Sequence, residues 1–236
     1  MQIFYCQTDI NAKRVFLDST ESHHCIKVLR LKQGDEIFVI DGKGGFAKAE
    51  IVSDNYKSCE IKILEIQQNF KHRNYYLHIG IAPTKNIDRI EWFVEKAVEF
   101  GIDEISFLLC QRSERKNINI ERIEKIALAA TKQSIKAYLP KINPLTKFNE
   151  FVDKNLEQNR YIAHCGDEFK EHFANIMPVN ENILVLLGPE GDFTYDEIDI
   201  AKSKGFVPIS LGNSRLRTET AGIAVCSIVS LKNETA

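Results

Sequence analysis

From Tyr75 to Lys232 the chain alternates short apolar runs with amphipathic stretches, and this alternation limits its possible folds more than any other feature. Strand candidates stand at Tyr75 to Ala82, Ile105 to Cys110, Tyr161 to His164, Ile183 to Leu187 and Val207 to Leu211. Between them the periodicity predicts helices over Asp88 to Phe100, Glu121 to Tyr138 (stopped by Pro140), and Glu219 to Lys232. A further helix is capped by Thr194, with Glu197 at its third position and Gly205 at its close. The first of these helices carries Ile87, Ile90, Phe93, Val94, Ala97 and Val98 on one face, pairs Asp88 with Glu91 in a capping-box spacing, and ends at Gly101. Strands and helices in alternation build a parallel sheet covered by helices.

The preceding part reads as β. Glu36 to Ile40, Phe46 to Val52 and Cys59 to Ile66 alternate apolar and polar residues, and Asp41-Gly42-Lys43-Gly44-Gly45 supplies the positive-φ positions of a tight hairpin. The segment from Gln67 to Asn74 is polar and unpatterned. The expected division is an N-terminal domain over 1–70 and an α/β domain over 74–236.

A net charge of −2 argues against a generic polyanion binder, so any nucleic-acid contact must come from local basic patches. The six cysteines are scattered, with no C-x-x-C pair, which fits free thiols in a reducing cytoplasm rather than disulfides or a zinc site. No run approaches the length of a membrane span, no secretory pattern opens the chain, and the scattered histidines give no metal site. His78 and His164 lie in strand patterns and read as satisfied core residues, and Trp92 reads as helix packing.

Two turns carry the chemistry. Ile183 to Leu187, apolar throughout, leads into Gly188-Pro189-Glu190-Gly191, and Val207 to Leu211 leads into Gly212. Two such turns at the carboxyl ends of parallel strands converge on the crevice where α/β sheets bind ligands. Each turn alone is also what any tight strand–helix connection requires. Arg215-Leu216-Arg217-Thr218-Glu219-Thr220, at the mouth of the last helix, is harder to explain structurally. A helix start needs one capping hydroxyl, here Thr218 or Thr220, and two arginines oppose the positive end of its dipole.

These turns, Gly188-Pro189-Glu190-Gly191-Asp192 and Leu211 to Ala221, resemble those of the knotted SPOUT methyltransferases, and more closely the bacterial 16S ribosomal RNA uridine-N3 methyltransferase family. Further blocks are similar: His24 to Arg30, Lys85 to Trp92 running into Glu95 to Gly101, Arg112 to Lys116, and Lys132-Gln133-Ser134. The pattern is broken at Asp192, where the family has a third glycine, at Lys136, where arginine is common, and near Ile3.

The resemblance implies a trefoil-knotted parallel sheet with helices on both faces, plus a small N-terminal PUA-like β-barrel for RNA. It implies S-adenosylmethionine held by Leu187, Gly188, Pro189, Glu190, Gly191, Leu211, Gly212, Leu216, Arg217 and Thr218. RNA would meet His24, Lys27, Arg30, Lys85, Arg89, Arg112, Arg115 and Gln133. Of these, the run around Lys27, Arg30 and Lys32 reads equally as a solvated amphipathic helix with Ile26, Val28 and Leu29 inward. The implied enzyme is a cytoplasmic homodimer that uses no metal. Arg217 would stabilise charge on a uracil carbonyl oxygen, and Glu219 would orient that arginine or take the N3 proton; the base stays open. Two other readings remain at this stage: a knotted enzyme acting on a ribose 2′-hydroxyl or on transfer RNA, and a non-catalytic RNA-binding assembly factor.

Overall fold

The computed structural model describes residues 1–154, 158–166 and 168–235. Its elements are β1 (Ile3–Tyr5), β2 (Arg14–Phe16), α1 (Ser19–His23), β3 (Glu36–Ile40), β4 (Phe46–Ser53), β5 (Glu60–Gln67), β6 (Tyr76–Ile81), α2 (Ile87–Phe100), β7 (Glu104–Leu109) and α3 (Ile120–Gln133). There follow β8 (Lys141–Lys147), α4 (Phe148–Lys154), β9 (Asn159–Ala163), β10 (Glu171–His172), α5 (Phe173–Ile176), β11 (Asn182–Leu187), α6 (Tyr195–Ser203), β12 (Val207–Ser210) and α7 (Thr218–Glu234).

The chain forms two compact units. Met1–His72 with Leu128–Leu139 make one, and Arg73–Ala127 with Pro140–Ala236 the other. In the first, a curled five-stranded sheet runs β1-β3-β4-β5-β2. Period-two alternation sends Ile37 and Val39 of β3 and Ala47, Ala49 and Ile51 of β4 into one core with Phe4, Val15 and Ile61. Register shifts after Lys48 and Ile51 bend β4. Leu128–Leu139 joins this unit through backbone bonds from Gly44 N–H to the Ala137 carbonyl and from Leu139 N–H to the Gly42 carbonyl. An ion pair between Lys132 and Glu21, 2.5 Å long, adds to them.

The second unit is a seven-stranded sheet, β10-β12-β9-β11-β6-β7-β8, parallel at every pairing. At its centre Ile183, Leu184, Val185, Leu186 and Leu187 are all buried, because helices cover both faces. α4 and α6 pack Phe148, Phe151, Ile198 and Ala201 against Leu184 and Leu186. α7 packs against α2, β6 and β11. After β11 and α6 the chain lays β12 on the far side of β9 and returns as α7. That out-and-back path is what a knotted α/β sheet needs, in contrast to the simple windings of most such sheets.

Several local expectations change. The cap of α2 is Asn86, whose side chain accepts from the Asp88 N–H at 3.0 Å; Asp88 itself is helical. Gly101 closes α2 in the left-handed region as expected. α3 stops at Gln133, short of Tyr138: the Ser134 hydroxyl bonds the Ala130 carbonyl at 2.7 Å and Ile135 turns to φ +55°. β8 escaped the pattern because it is an edge strand, which tolerates Pro144 and a weak apolar rhythm. His24–Val28 is a π-helical turn; Cys25 is buried, while Val28, expected inward, is exposed. The capping box of Thr194 and Glu197 is present as predicted.

The contact between α2 and α7 depends on Gly222, where an added Cβ would stand 2.4 Å from the ring of fully buried Phe93. Gly222→Ala is therefore expected to lower stability by about 1–3 kcal/mol, the usual cost of overpacking, as read from chemical denaturation midpoints.

Candidate functional site

The order β12-β9-β11 sets three strand ends side by side. Their following turns enclose a cavity of about 660 Å³. One wall is Leu187, Gly188, Pro189, Glu190 and Asp192 after β11; the second is Ile209 to Arg217, after and at the end of β12. The third is Ala163, His164, Cys165, Gly166 and Lys170 after β9, which the sequence reading passed over. Its signal was weak. Tyr161 to His164 looks like any short buried strand, and the glycine that follows carries no phosphate-type motif.

The first turn is held from several directions. Gly188 gives room: a Cβ there would lie 3.1 Å from the Phe193 backbone nitrogen. Its carbonyl accepts from the Thr218 hydroxyl at 2.9 Å, which binds the start of α7 to the end of β11. Glu190 accepts from the Lys85 N–H at 2.8 Å. Gly191 lies behind the wall rather than on it, against Arg112, so of the expected cradle residues it alone does not face the cavity.

Asp192 explains how the break in the glycine pattern is accommodated. Its φ is +62°, the left-handed region that glycine enters freely and aspartate more readily than most residues. The carboxylate accepts the Phe193 N–H at 2.8 Å and, across the cavity wall, the Cys165 N–H at 2.7 Å. It thus joins the β11 turn to the β9 turn.

His164 is buried, as expected of a core residue, yet it also lines the cavity. Its Nδ1 accepts the Gly166 N–H at 3.1 Å, and its Nε2 lies 3.1 Å from Glu168 Oε1 without the alignment of a hydrogen bond. Burial, together with the nearby Lys170 ammonium, holds its pKa below the usual histidine value. His78 is an ordinary core histidine, with Nε2 2.8 Å from the Ser106 hydroxyl.

Neither threonine caps α7. Arg217 occupies the cap position with extended backbone and no capping side chain, because the Thr218 hydroxyl is committed to Gly188. Arg217 lines the cavity and also a second hollow of about 510 Å³, formed with Asp88, Arg89, Trp92, Glu219 and Thr220. Trp92, read as packing, lines this hollow and is 44% exposed overall. Glu219 is buried, with Arg89 Nε 3.8 Å from its Oε1.

The other basic residues divide. Arg112 donates to the carbonyls of Gly191 and Phe193, and Arg115 to those of Thr84 and Lys85, so both guanidinium groups brace backbone around the site. Lys85 pairs with Glu114 at 2.8 Å. In the first unit His24, Lys27 and Arg30 are exposed, Lys27 lies 4.8 Å from the Tyr56 ring centre, and Gln133 is exposed at the end of α3. Among the described residues no cluster of three His, Cys, Asp or Glu could hold a metal ion, and no helix is long and apolar enough to cross a membrane.

The chain matches the RNA methyltransferase domain family over residues 71–230 and the RNA methyltransferase PUA domain family over residues 17–64. It is 31% identical to ribosomal RNA small subunit methyltransferase E 2 of Borreliella burgdorferi, over 86% of this chain and 85% of that protein. A probable rRNA-methyltransferase from Porphyromonas gingivalis shares its fold at a TM-score of 0.91 and 36% identity, with 100% of this chain and 99% of that one covered. A ribosomal RNA small subunit methyltransferase E from Neisseria gonorrhoeae, solved bound to S-adenosyl methionine, has the same fold at a TM-score of 0.87 and 24% identity, over 98% of both chains. A parallel sheet with a cavity under the turns at adjacent strand ends, an arginine at the cap of the last helix and these matches together place the chain in the RNA methyltransferase family, among the small-subunit ribosomal RNA methyltransferases E.

Proposed function

We propose that the protein transfers a methyl group from S-adenosylmethionine to N3 of a uridine in 16S ribosomal RNA. The observation that carries this reading is the cavity under three strand-end turns, closed on one side by Arg217 at the start of α7.

The cavity suits the cofactor. Its volume of about 660 Å³ lies within the range typical of small-ligand sites. Leu187, Ile209, Leu211 and Leu216 offer apolar walls for an adenine ring, and Gly188 and Gly212 bring backbone groups close. Leu187, Gly188, Pro189, Glu190, Leu211, Gly212, Leu216, Arg217 and Thr218 would hold it, with Gly191 supporting from behind and Asp192 joining the turns. When bound, the cofactor supplies a methyl group activated by a sulfonium charge.

The protein's own part is positioning and electrostatics. A direct displacement at carbon needs the nucleophile in line, so a rigid cradle beside a rigid substrate site accounts for much of the rate. Deprotonated uracil carries its charge on the two carbonyl oxygens, where Arg217 would stabilise it. With a net charge of −2, attraction for RNA falls to local basic residues, for which we retain His24, Lys27, Arg30, Lys85, Arg89 and Gln133; Arg112 and Arg115 act mainly through the backbone they brace. The 1–70 segment would be the PUA-like RNA-binding domain and 74–236 the methyltransferase domain. We infer a homodimer from the family resemblance, and a cytoplasmic location from it and from the six unpaired cysteines.

Nucleoside analysis of ribosomal RNA from cells lacking the gene should show the loss of one 3-methyluridine from the small subunit, and normal levels of that nucleoside would refute the assignment. Arg217→Ala should lower kcat on small subunits by about 100- to 1000-fold, the scale of losing a charge-stabilising donor; full activity would remove the role given to it. Asp192→Ala should weaken S-adenosylmethionine binding about tenfold by calorimetry, the scale of one charge-assisted hydrogen bond. Asp192→Gly, which relieves the left-handed strain, should weaken it less.

A further inference from the structure

Away from the cavity and the hollow, the unit with the five-stranded sheet buries two thiols that the methyl transfer does not use. Cys25 and Cys59 are both fully buried in its core, and neither is in a disulfide. Ser22 sets them side by side. Its hydroxyl donates to the Leu17 carbonyl at 3.0 Å and accepts the Cys59 N–H at 2.8 Å, while the Cys59 carbonyl accepts the Leu17 N–H at 3.0 Å. Cys25 follows Ser22 by three positions, so it stands on the same helical face, toward Cys59. The two thiols meet side chain to side chain, with Cys25 donating and Cys59 accepting.

A solitary buried cysteine is inert, and this pair differs from one in two respects. The Cys25 donor holds the Cys59 thiol below its usual pKa, against the effect of burial, so Cys59 is the sulfur that ionises first. The chain covering the pair is also irregular. α1 is little more than one turn, His24–Val28 is π-helical, and Arg30 after it takes φ +58°. Such a short segment, with His23, His24, Lys27, Val28 and Arg30 exposed, opens locally at lower cost than the sheet beneath it. A peroxide, little larger than water, needs only that opening.

We propose that Cys25 and Cys59 are a modification site for peroxides, where oxidation forms a disulfide that pins the His24–Val28 turn to the start of β5 and weakens its hold on RNA. The Cys59 thiolate attacks one peroxide oxygen, the oxygen–oxygen bond breaks, and the departing hydroxide takes up the thiol proton as water. The Cys25 sulfur then attacks the Cys59 sulfenic acid. The sulfur–sulfur bond forms, the sulfur–oxygen bond breaks, and the Cys25 proton leaves in a second water. One peroxide is reduced to two waters, and two thiols are oxidised to one disulfide. The new bond, about 2 Å long, is shorter than any contact between free thiols, so it draws Cys25 and its turn toward β5. The dithiol stands on the geometry of this unit; its effect on RNA rests on the functional reading of His24, Lys27 and Arg30 given above.

Reduced full-length protein treated with hydrogen peroxide, then denatured, alkylated and digested without reductant, should yield a linked Cys25–Cys59 peptide that dithiothreitol releases. Absence of that peptide, or linkage mainly to Cys6, whose sulfur lies 3.1 Å from the Thr8 hydroxyl, overturns the pairing. In Cys25→Ser the reaction should stop at the Cys59 sulfenic acid, which a dimedone reagent labels; in Cys59→Ser, Cys25 should stay unlabelled. The reverse labelling, or none at either cysteine, rules out Cys59 as the first to react.

Oxidised protein should bind a 16S ribosomal RNA fragment about fivefold more weakly, the scale of one hydrogen bond, with S-adenosylmethionine affinity within about twofold of the reduced form. Unchanged RNA affinity in protein that carries the linkage overturns the effect on RNA. If reduced protein binds no 16S ribosomal RNA fragment yet forms the linkage, the functional reading fails and the modification site stands.

Discussion

The ligand end of the molecule depends on β11 being buried on both faces. Five consecutive apolar residues from Ile183 to Leu187 can be covered only by helices above and below the sheet, with parallel strands on either side. Once β11 is held in this way, its carboxyl end has one direction to leave, and the Gly188 turn must sit beside the ends of β9 and, one strand further, β12. The Thr218–Gly188 hydrogen bond then fixes the start of α7 over the same point. The cavity and the adjoining hollow both follow from that placement.

The turns around the cavity are joined by few but specific contacts. Asp192 spans two of them with one carboxylate, and Arg112 and Arg115 hold the backbone of the loops behind. Two basic residues that resemble RNA-binding positions are therefore, in this structure, tied to carbonyl oxygens. Function and support are not separable by residue type here, since a guanidinium group that grips a carbonyl still carries its charge toward solvent. Arg217 differs. Among the described residues it grips no carbonyl oxygen; it stands at a helix start whose dipole opposes it and borders both the cavity and the hollow.

Much of the fold was legible because its main periodicities are strong. Buried strands at Ile183 and Ile105, the amphipathic face of α2 and the Thr194 capping box all follow from local chemistry. What escaped was local structure whose cause is distant. β8 carries a proline tolerated only because it lies at the sheet edge, and α3 ends where Ser134 and Ile135 turn the chain toward contacts with Gly42 and Gly44. The cap of α7 was misread for the same reason: Thr218 is a good capping residue, but its hydroxyl is claimed by a carbonyl thirty residues earlier in the chain.

The sequence by itself determined the class of fold, the two glycine turns and the arginine-rich segment, because strand burial, turn conformation and helix starts are short-range properties. It could not show that the β9 turn, with His164, Cys165 and Lys170, forms the third wall of the cavity, since strand order in a parallel sheet is decided by long crossovers. Nor could it show that Trp92 and Glu219, 127 positions apart, share one hollow. Only the packing of α2 on α7, set by the absence of a side chain at Gly222, brings those two residues together.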